Sequence, residues 1–226
     1  MQLTNRALIS PSIYAASILD LRSELRAFEE VGADFVHVDI MDGHFVPRMA
    51  FGADHVRDLG KGTTLPLDVH LMASQPELML DDVIAAGASV LTIHAEATTQ
   101  LVWCLQRIRR LGAHAGVAIS PATPVCAIEG VLNFVDQVLV MTVNPGQAGE
   151  SFIPQTLEKV RRLRALRGKR PYLIEVDGSI DDETGRLARR AGADVFVSGG
   201  YLLKDLKGGL PILRKALEME DDHAER

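Results

Sequence analysis

One pattern constrains the fold of this chain more than any other: short, apolar, β-branched runs alternate with longer amphipathic segments along its length. That alternation is typical of parallel strands joined by crossover helices. Strands are predicted at residues 7–10, 35–40, 67–71, 90–94, 115–120, 137–142, 172–176 and 195–198. Helices are predicted between nearly all of them, including residues 21–31, 76–86, 101–111, 155–166 and 182–191.

A short phrase of glycine followed by alanine recurs where a helix passes to a strand, at Gly32, Gly87, Gly112 and Gly192. Each glycine suits the left-handed cap that ends a helix. Eight such units of about 28 residues would close a barrel. An open doubly wound sheet is the alternative, but eight strands would make it very wide, and no G-x-G-x-x-G follows the first strand.

The fold prediction is therefore α/β, with a single (β/α)8 TIM barrel over residues 1–226. About the last eight residues, 219–226, are expected to fray as an acidic tail. A chain of 226 residues with 47% hydrophobic content can bury the core that one barrel needs. Its two cysteines indicate neither a disulfide framework nor a cysteine zinc site.

The charge and the absence of long apolar runs limit the partners that are expected. A net charge of -6 gives no general attraction for nucleic acid or an anionic membrane surface. No stretch approaches the roughly 18 apolar residues of a membrane span, and the start lacks a signal-peptide pattern. A soluble, cytoplasmic protein that acts on a small molecule is the expectation.

Polar side chains at the ends of three predicted strands point to a metal site, because parallel barrels build their active sites there. His37 and Asp39 share one face of the second strand by their spacing of two. His70 ends the third strand and Asp177 the seventh. Two imidazoles and two carboxylates suit one ion of Zn²⁺, Fe²⁺, Co²⁺ or Mn²⁺ per subunit. The alternative reading, hydrogen-bonded core histidines, is weakened by this joint placement.

Three neighbouring loops of small residues are candidates for binding a phosphate group through backbone amides. They follow the sixth, seventh and eighth strands, where barrels commonly hold phosphate. Their candidate binding residues are Gly146, Gln147, Ala148, Gly149, Gly178, Ser179, Gly199 and Gly200.

These motifs together make the chain resemble the ribulose-phosphate 3-epimerase family, from Ile9 to about Leu203. The matching segments are residues 9–12, 37–47, 67–72, 141–146, 152–154, 175–178 and 191–195. The resemblance implies a barrel of the ribulose-phosphate-binding type and a homo-oligomer that acts on a sugar phosphate.

The resemblance also implies roles for individual residues. His37, Asp39, His70 and Asp177 would bind the metal, and Asp39 and Asp177 would also be the acid/base pair that flanks a metal-stabilised ene-diolate. Ser10, His70 and the glycine-rich loops would contact the substrate.

Four further residues are read less directly. Three methionines lie at or just beyond strand ends: Met41, Met72 and Met141. They resemble a thioether layer that the family places around the reacting carbons, and the alternative is that they only fill the core. His94, which ends the fourth strand, is either a fifth ligand or a group that orients one.

The phosphate loops depart from the commonest family pattern. Gly146-Gln147-Ala148-Gly149-Glu150 stands where the family usually reads glycine-phenylalanine-glycine-glycine-glutamine, and Ser179 replaces a common glycine. The Glu150 side chain is expected to face solvent, away from a bound phosphate. Similar variations occur in the related allulose-6-phosphate 3-epimerases.

The expected reaction is the interconversion of D-ribulose 5-phosphate and D-xylulose 5-phosphate. The first alternative is the interconversion of D-allulose 6-phosphate and D-fructose 6-phosphate. A non-catalytic phosphosugar-binding protein would be expected to have lost a ligand or an acid/base residue, and none is lost. Related barrel decarboxylases carry an Asp-x-Lys-x-x-Asp motif, whose lysine is absent from residues 37–42.

Overall fold

Apolar side chains on one face of the strands, among them Val38, Val69 and Val117, pack against the helices that cover the sheet. The other face, inside the barrel, carries buried polar side chains such as His37, Asp68 and Glu175. The computed structural model describes residues 6–147 and 149–218. In that part of the chain eight strands run parallel: β1 (Leu8–Pro11), β2 (Val36–Asp42), β4 (Leu67–Met72), β5 (Ala88–His94), β6 (His114–Ile119), β7 (Gln137–Met141), β8 (Leu173–Asp177) and β9 (Val195–Ser198). A two-residue strand, β3 (Met49–Ala50), runs antiparallel to β2.

Pairing on both sides of β1 closes the sheet into a barrel. On one side β1 pairs in parallel with β9, and Leu8 lies opposite Val195. On the other side the Asp34 amide donates to the Ile9 carbonyl at 3.0 Å, and Ser12 forms a parallel bridge to His37 at β2. The predicted (β/α)8 barrel is therefore confirmed.

Helices follow most of the strands and cover the outside of the barrel. They are α1 (Leu21–Glu30), α2 (Ala53–Gly60), α3 (Leu80–Ala85), α4 (Leu101–Arg110), α5 (Leu157–Arg167), α6 (Asp182–Ala191), α7 (Gly200–Lys204) and α8 (Leu206–Glu218). Within these described ranges, no helix is both long and apolar enough to cross a membrane.

The structure differs from the predicted elements in a few places. The segment predicted as one helix over residues 76–86 divides into a 3-10 turn, Pro76–Leu78, followed by α3. Only two 3-10 turns, Val125–Ala127 and Glu129–Val131, are described between β6 and β7. Prolines and a glycine in that connection disfavour a longer helix. The predicted tail, residues 219–226, lies outside the described residues, as does Ala148.

The repeated glycines end helices as predicted. Gly32, Gly87, Gly112 and Gly192 have φ angles of 75°, 114°, 94° and 113°. These angles lie in the left-handed half of conformational space, which glycine enters without steric cost. Each glycine therefore lets the chain turn sharply from helix to strand.

Two of these glycines, Gly32 and Gly192, are each followed two residues later by an aspartate that contacts a neighbouring strand. Asp194 accepts a hydrogen bond from the amide of Ile174 at 2.8 Å and pairs with Arg167. Asp34 accepts from the amide of Ile9 at 2.9 Å in the same way. Side-chain oxygens thus satisfy backbone donors at the lower rim of the barrel, where the ladders begin.

Replacing Asp194 by alanine is expected to lower the free energy of unfolding by about 2 kcal/mol, because the buried Ile174 amide loses its acceptor. Urea unfolding would measure the change. Asp58→Ala is the matched control, because Asp58 is exposed and its ion pair with Lys61 lies on the protein surface. Equal stability of the two variants would contradict the assigned role of Asp194.

Candidate metal centre and active site

Four polar side chains meet inside the upper end of the barrel. They are His37 and Asp39 from β2, His70 from β4 and Asp177 from β8, and one ligand atom from each lies within 4.8 Å of the others. In the register of the sheet, Asp39 lies beside His70. The structure therefore brings together all four of the predicted ligands.

The two imidazoles present nitrogens to both carboxylates. His70 Nδ1 lies 3.1 Å from Asp39 Oδ1, and His37 Nε2 lies 3.4 Å from the same oxygen. Asp177 Oδ2 is 3.9 Å from each of these nitrogens. Two nitrogens and two oxygens thus converge on one point, as the ligands of a transition-metal ion do.

His37 supplies the clearest sign that this cluster is built to hold a cation. Its ring is fully buried, and its Nδ1 lies 2.8 Å from Asp68 Oδ2. Nε2, which faces the cluster, has no hydrogen-bond partner among residues 6–147 and 149–218. A buried polar atom without a partner is costly, and an ion at the centre of the cluster would satisfy it.

His94 stands behind His70, outside the four-residue cluster. Its Nε2 lies 2.9 Å from His70 Nε2, and its Nδ1 lies 3.1 Å from Glu96 Oε2. Burial, reinforced by His70, lowers the pKa of His94 to about 4, against the opposing effect of Glu96. His94 is therefore neutral near pH 7, and its ring contacts His70 and Glu96 rather than the ligand atoms of the cluster.

Both carboxylates of the cluster line a cavity of about 520 Å³ at the mouth of the barrel. That volume lies in the usual range for a small-molecule site. The three methionines of the predicted thioether layer, Met41, Met72 and Met141, also line this cavity. Their thioethers form an apolar surface close to Asp39 and Asp177.

Ser10 is not where the sequence interpretation expected it. Its side chain is fully buried and donates to Asp68 Oδ2 at 3.2 Å, below the cavity. Ser12 lines the cavity instead, and its hydroxyl donates to Asp39 Oδ2 at 3.1 Å. The two serines share one face of the strand, so their spacing alone could not tell which level faces the substrate.

The small-residue loops border the same cavity. Its lining includes Gly146, Gln147, Gly149, Gly178, Ser179, Gly199 and Gly200. Ala148, the remaining predicted member, lies outside the described residues. The loops after β7, β8 and β9 therefore meet around one space, as the phosphate prediction requires.

Glycine is needed at two of these positions. Gly146 has a φ angle of 72°, and a Cβ there would come within 2.6 Å of Val46 Cβ. Gly178 has a φ angle of 124°, and a Cβ there would lie 2.8 Å from the Val143 backbone nitrogen. Both contacts are far shorter than packed atoms allow, so a side chain at either position would force the loop backbone to shift.

Ser179 links two of the loops. It has a φ angle of 54°, which is unusual for a residue other than glycine. Its hydroxyl donates to the carbonyl of Glu150 in the loop after β7. Glu150 is exposed and lies outside the cavity lining, as the sequence interpretation expected of its charge.

The sequence interpretation did not name Lys204, which also lines the cavity. It lies four residues after Gly200 on α7, so both belong to the same side of that helix. Its ammonium group adds a positive charge to a protein whose net charge is -6. The sequence signal for this residue was a lysine shortly after the small-residue turn at Gly199 and Gly200. The side on which Lys204 lies could not be predicted, because α7 is only five residues long.

Burial and mutual repulsion set the protonation of the cluster. Burial, together with the Asp39 charge, raises the pKa of Asp177 to about 7. Burial alone would also raise the pKa of Asp39, but the imidazoles of His37 and His70 outweigh it and lower that pKa. Burial opposes the charged form of His37, yet Asp39 and Asp68 raise its pKa well above the ordinary value.

This arrangement defines a class of protein: a barrel enzyme with a metal-type ligand set and two carboxyl groups of unequal acidity beside a cavity. A sequence profile of the Ribulose-phosphate 3 epimerase family matches residues 8–203. The chain belongs to this family, and it is an epimerase, an enzyme of the isomerase class.

Individual relatives agree with the family match. The chain is 50% identical over 196 residues to a ribulose-phosphate 3-epimerase of Rhodobacter capsulatus, covering 87% of this chain and 86% of that one. It is 43% identical over 211 residues to one of Bacillus subtilis (strain 168), covering 91% and 97%. KGPDC from Streptococcus mutans shares the fold at a TM-score of 0.69 and 14% identity, over 94% and 98% of the two chains.

Divalent metal binding is expected to strengthen with pH. The raised pKa of His37 keeps its imidazole protonated at neutral pH, and the Asp177 carboxyl, with a pKa of about 7, is partly protonated there. A metal ion must displace these protons in order to bind. The apparent affinity for Co²⁺ should therefore rise about tenfold per pH unit for each displaced proton up to about pH 7, and the contribution of Asp177 should level off above it, so that the affinity at about pH 8 exceeds that at about pH 6. Chelator competition would measure it, and equal affinities at both pH values would contradict the assignment.

Proposed function

We propose that this protein is a metal-dependent 3-epimerase that interconverts D-ribulose 5-phosphate and D-xylulose 5-phosphate. One observation carries the proposal: Asp39 and Asp177, whose carboxyl groups differ in acidity, line one cavity beside the two imidazoles. Curated relatives named for this activity cover most of the chain and support it.

The donor set suits one ion of Zn²⁺, Fe²⁺, Co²⁺ or Mn²⁺ per subunit. Ca²⁺ and Mg²⁺ prefer oxygen ligands, whereas half of these donors are imidazole nitrogens. His37 Nε2, with no partner in the described ranges, fits the same interpretation. When bound, the ion would stabilise the negative charge that develops on the ketone oxygen of the substrate.

Inversion at C3 needs a proton removed from one face of the carbon and one returned to the other face. Asp39 and Asp177 line the cavity from β2 and β8, so one carboxyl group suits the base that removes the proton and the other suits the group that returns one. The reverse reaction exchanges these roles. The Ser12 hydroxyl holds Asp39 Oδ2 and so fixes the orientation of that carboxylate.

The methionines and loops suit the rest of the substrate. Met41, Met72 and Met141 border the space between the carboxylates and offer no strong proton donor or acceptor, so they would keep the planar intermediate from being protonated wrongly. Backbone amides of the loops after β7, β8 and β9 would bind the phosphate. Lys204 would add a charge at that end of the cavity.

D-allulose 6-phosphate is a second candidate substrate, because the sequence at 146–150 and Ser179 depart from the commonest family pattern at the loops proposed to bind the phosphate. A non-catalytic phosphosugar-binding role is disfavoured by the complete set of acid/base and ligand residues. The homo-oligomer and the cytoplasmic location stay predictions.

The proposed function is tested by comparing kcat/KM for D-ribulose 5-phosphate and D-allulose 6-phosphate on one metal-loaded preparation. The pentulose is expected to react with the larger kcat/KM, with deuterium from solvent entering at C3. A clear preference for the hexulose would favour the second candidate. Absence of C3 exchange with both sugars would contradict an epimerase.

Substituting the two carboxylates one at a time tests the two-base mechanism. Asp39→Asn and Asp177→Asn should each slow interconversion by about 10³-fold. Each variant should still exchange the C3 proton of one epimer with solvent, and the two variants should favour opposite epimers. Metal content is measured in parallel, since both residues are ligands. Normal interconversion by either variant would contradict the pairing.

Lys204→Met is expected to raise KM for the ketose phosphate several-fold with little change in kcat, because a charge near the phosphate is lost while the acid/base groups stay. Steady-state kinetics would measure both constants. Lys207→Met is the control, since Lys207 lies on the next helix, 3.9 Å from Glu30 and away from the cavity. Equal KM values for the two variants would remove Lys204 from the site.

A further inference from the structure

A continuous chain of hydrogen-bonding groups leads from the proposed metal ligand His70 to the outer loops. His70 Nδ1 faces the ligand cluster, and its Nε2 lies 2.9 Å from His94 Nε2. His94 Nδ1 lies 3.1 Å from Glu96 Oε2. The other oxygen of Glu96 accepts from the Ser120 amide at 2.8 Å and from the Thr123 hydroxyl.

The chemistry of its outer end fixes the direction of this chain. An ionised carboxylate only accepts, so His94 Nδ1 must carry the hydrogen that points at Glu96. A neutral His94 then has a bare Nε2, which accepts from His70 Nε2–H. His70 Nδ1 lies 3.1 Å from Asp39 Oδ1. With a metal ion held between them, a neutral His70 would carry its hydrogen on Nε2 and present the lone pair of Nδ1 to the ion.

We propose that Glu96 and His94 are positioning residues that set the tautomer of His70, so that its Nδ1 lone pair is available to the metal ion. This inference rests on the proposed metal-dependent function and extends it to two residues outside the ligand set. Neither residue lies in the four-residue cluster, and neither lines the cavity.

The other imidazole shows why such a device is needed. His37 faces the cluster with Nε2, whereas His70 faces it with Nδ1. The two ligands therefore need opposite tautomers, and each needs its own partner to enforce one. On the side away from the cluster, Asp68 contacts His37 Nδ1 directly, whereas His70 Nε2 reaches the carboxylate of Glu96 through His94.

Packing holds the intermediate ring in place. His94 is fully buried, and the ring of Phe45 lies over it at 4.7 Å between centroids. Glu96 is partly exposed, with 26% of its side chain accessible, but its two oxygens are committed to β5 on one side and to the segment after β6 on the other. The carboxylate therefore has one available orientation.

The substitution Glu96→Gln would reverse the direction of the hydrogen bonds from residue 96 through His94 to His70, with almost no change in the shape of the side chain. The glutamine oxygen must stay with the Ser120 amide, which can only donate, so the glutamine NH₂ group faces His94 Nδ1. His94 would then carry its hydrogen on Nε2, and His70 would carry its own on Nδ1, toward the metal. Binding an ion would require breaking this chain of hydrogen bonds.

The test measures zinc affinity by chelator competition for the wild-type protein, Glu96→Gln and Thr123→Val. Glu96→Gln should bind Zn²⁺ roughly 10–100-fold more weakly, as is usual when a partner of a ligating histidine is lost. Thr123→Val removes a neighbouring hydrogen bond to Glu96 but leaves its charge, so its affinity should match the wild type. Equal affinity of Glu96→Gln and wild type would overturn the proposal.

Nitrogen-15 NMR of the zinc-loaded wild-type protein provides a second measurement that needs no variant to fold. The hydrogen should lie on Nε2 of His70 and on Nδ1 of His94. A hydrogen on Nε2 of His94 would overturn the tautomer assignment. A wild-type protein that binds none of Zn²⁺, Fe²⁺, Co²⁺ and Mn²⁺ would instead overturn the proposed function, and this inference with it.

Discussion

The site depends on the mutual compensation of buried charges inside the barrel. His37 and Asp68 lie side by side with almost no exposure, and Asp39 and His70 form the next level above. Burial disfavours each charge, but the neighbouring opposite charge lowers the pKa of Asp68 and raises that of His37. Carboxylates could not stay ionised at this depth without the imidazoles or a bound cation.

The layer below the cluster has a part in this balance. Burial and the Asp68 charge raise the pKa of Glu175 well above its ordinary value, so this residue favours its neutral form. Gln137 donates to Asp68 at 3.2 Å and also to Glu175. This layer fixes Asp68, Asp68 orients His37, and the pair of His94 and Glu96 would orient His70 from the other side.

The barrel and the four candidate metal ligands could be predicted from the sequence, because strand periodicity and the positions of strand ends are local signals. The spacing of His37 and Asp39 placed both on one face, and the shared level of strand ends brought in His70 and Asp177. The glycine caps were equally local. Ser10 was expected to contact the substrate, but the structure buries it on Asp68 and places Ser12 in the cavity lining. Two residues on one face differ in depth, which a single strand does not reveal.

The remaining features arise from tertiary contacts. The carboxylate that holds Asp194 against Ile174, the tie from Ser179 to Glu150, and the direction of Lys204 each depend on where a distant segment lies. The contact between His70 and His94 crosses from β4 to β5 and has no sequence signal beyond a histidine at each strand end. Side-chain partners across strands are therefore the part that only the structure supplied.

Anomalous diffraction from crystals grown with Co²⁺ would test most directly whether these four side chains hold one ion. A single peak is expected about 2.0–2.3 Å from His37 Nε2, His70 Nδ1 and one oxygen each of Asp39 and Asp177. A peak at the lower group of His37, Asp68 and Glu175, or no peak within the barrel, would contradict it.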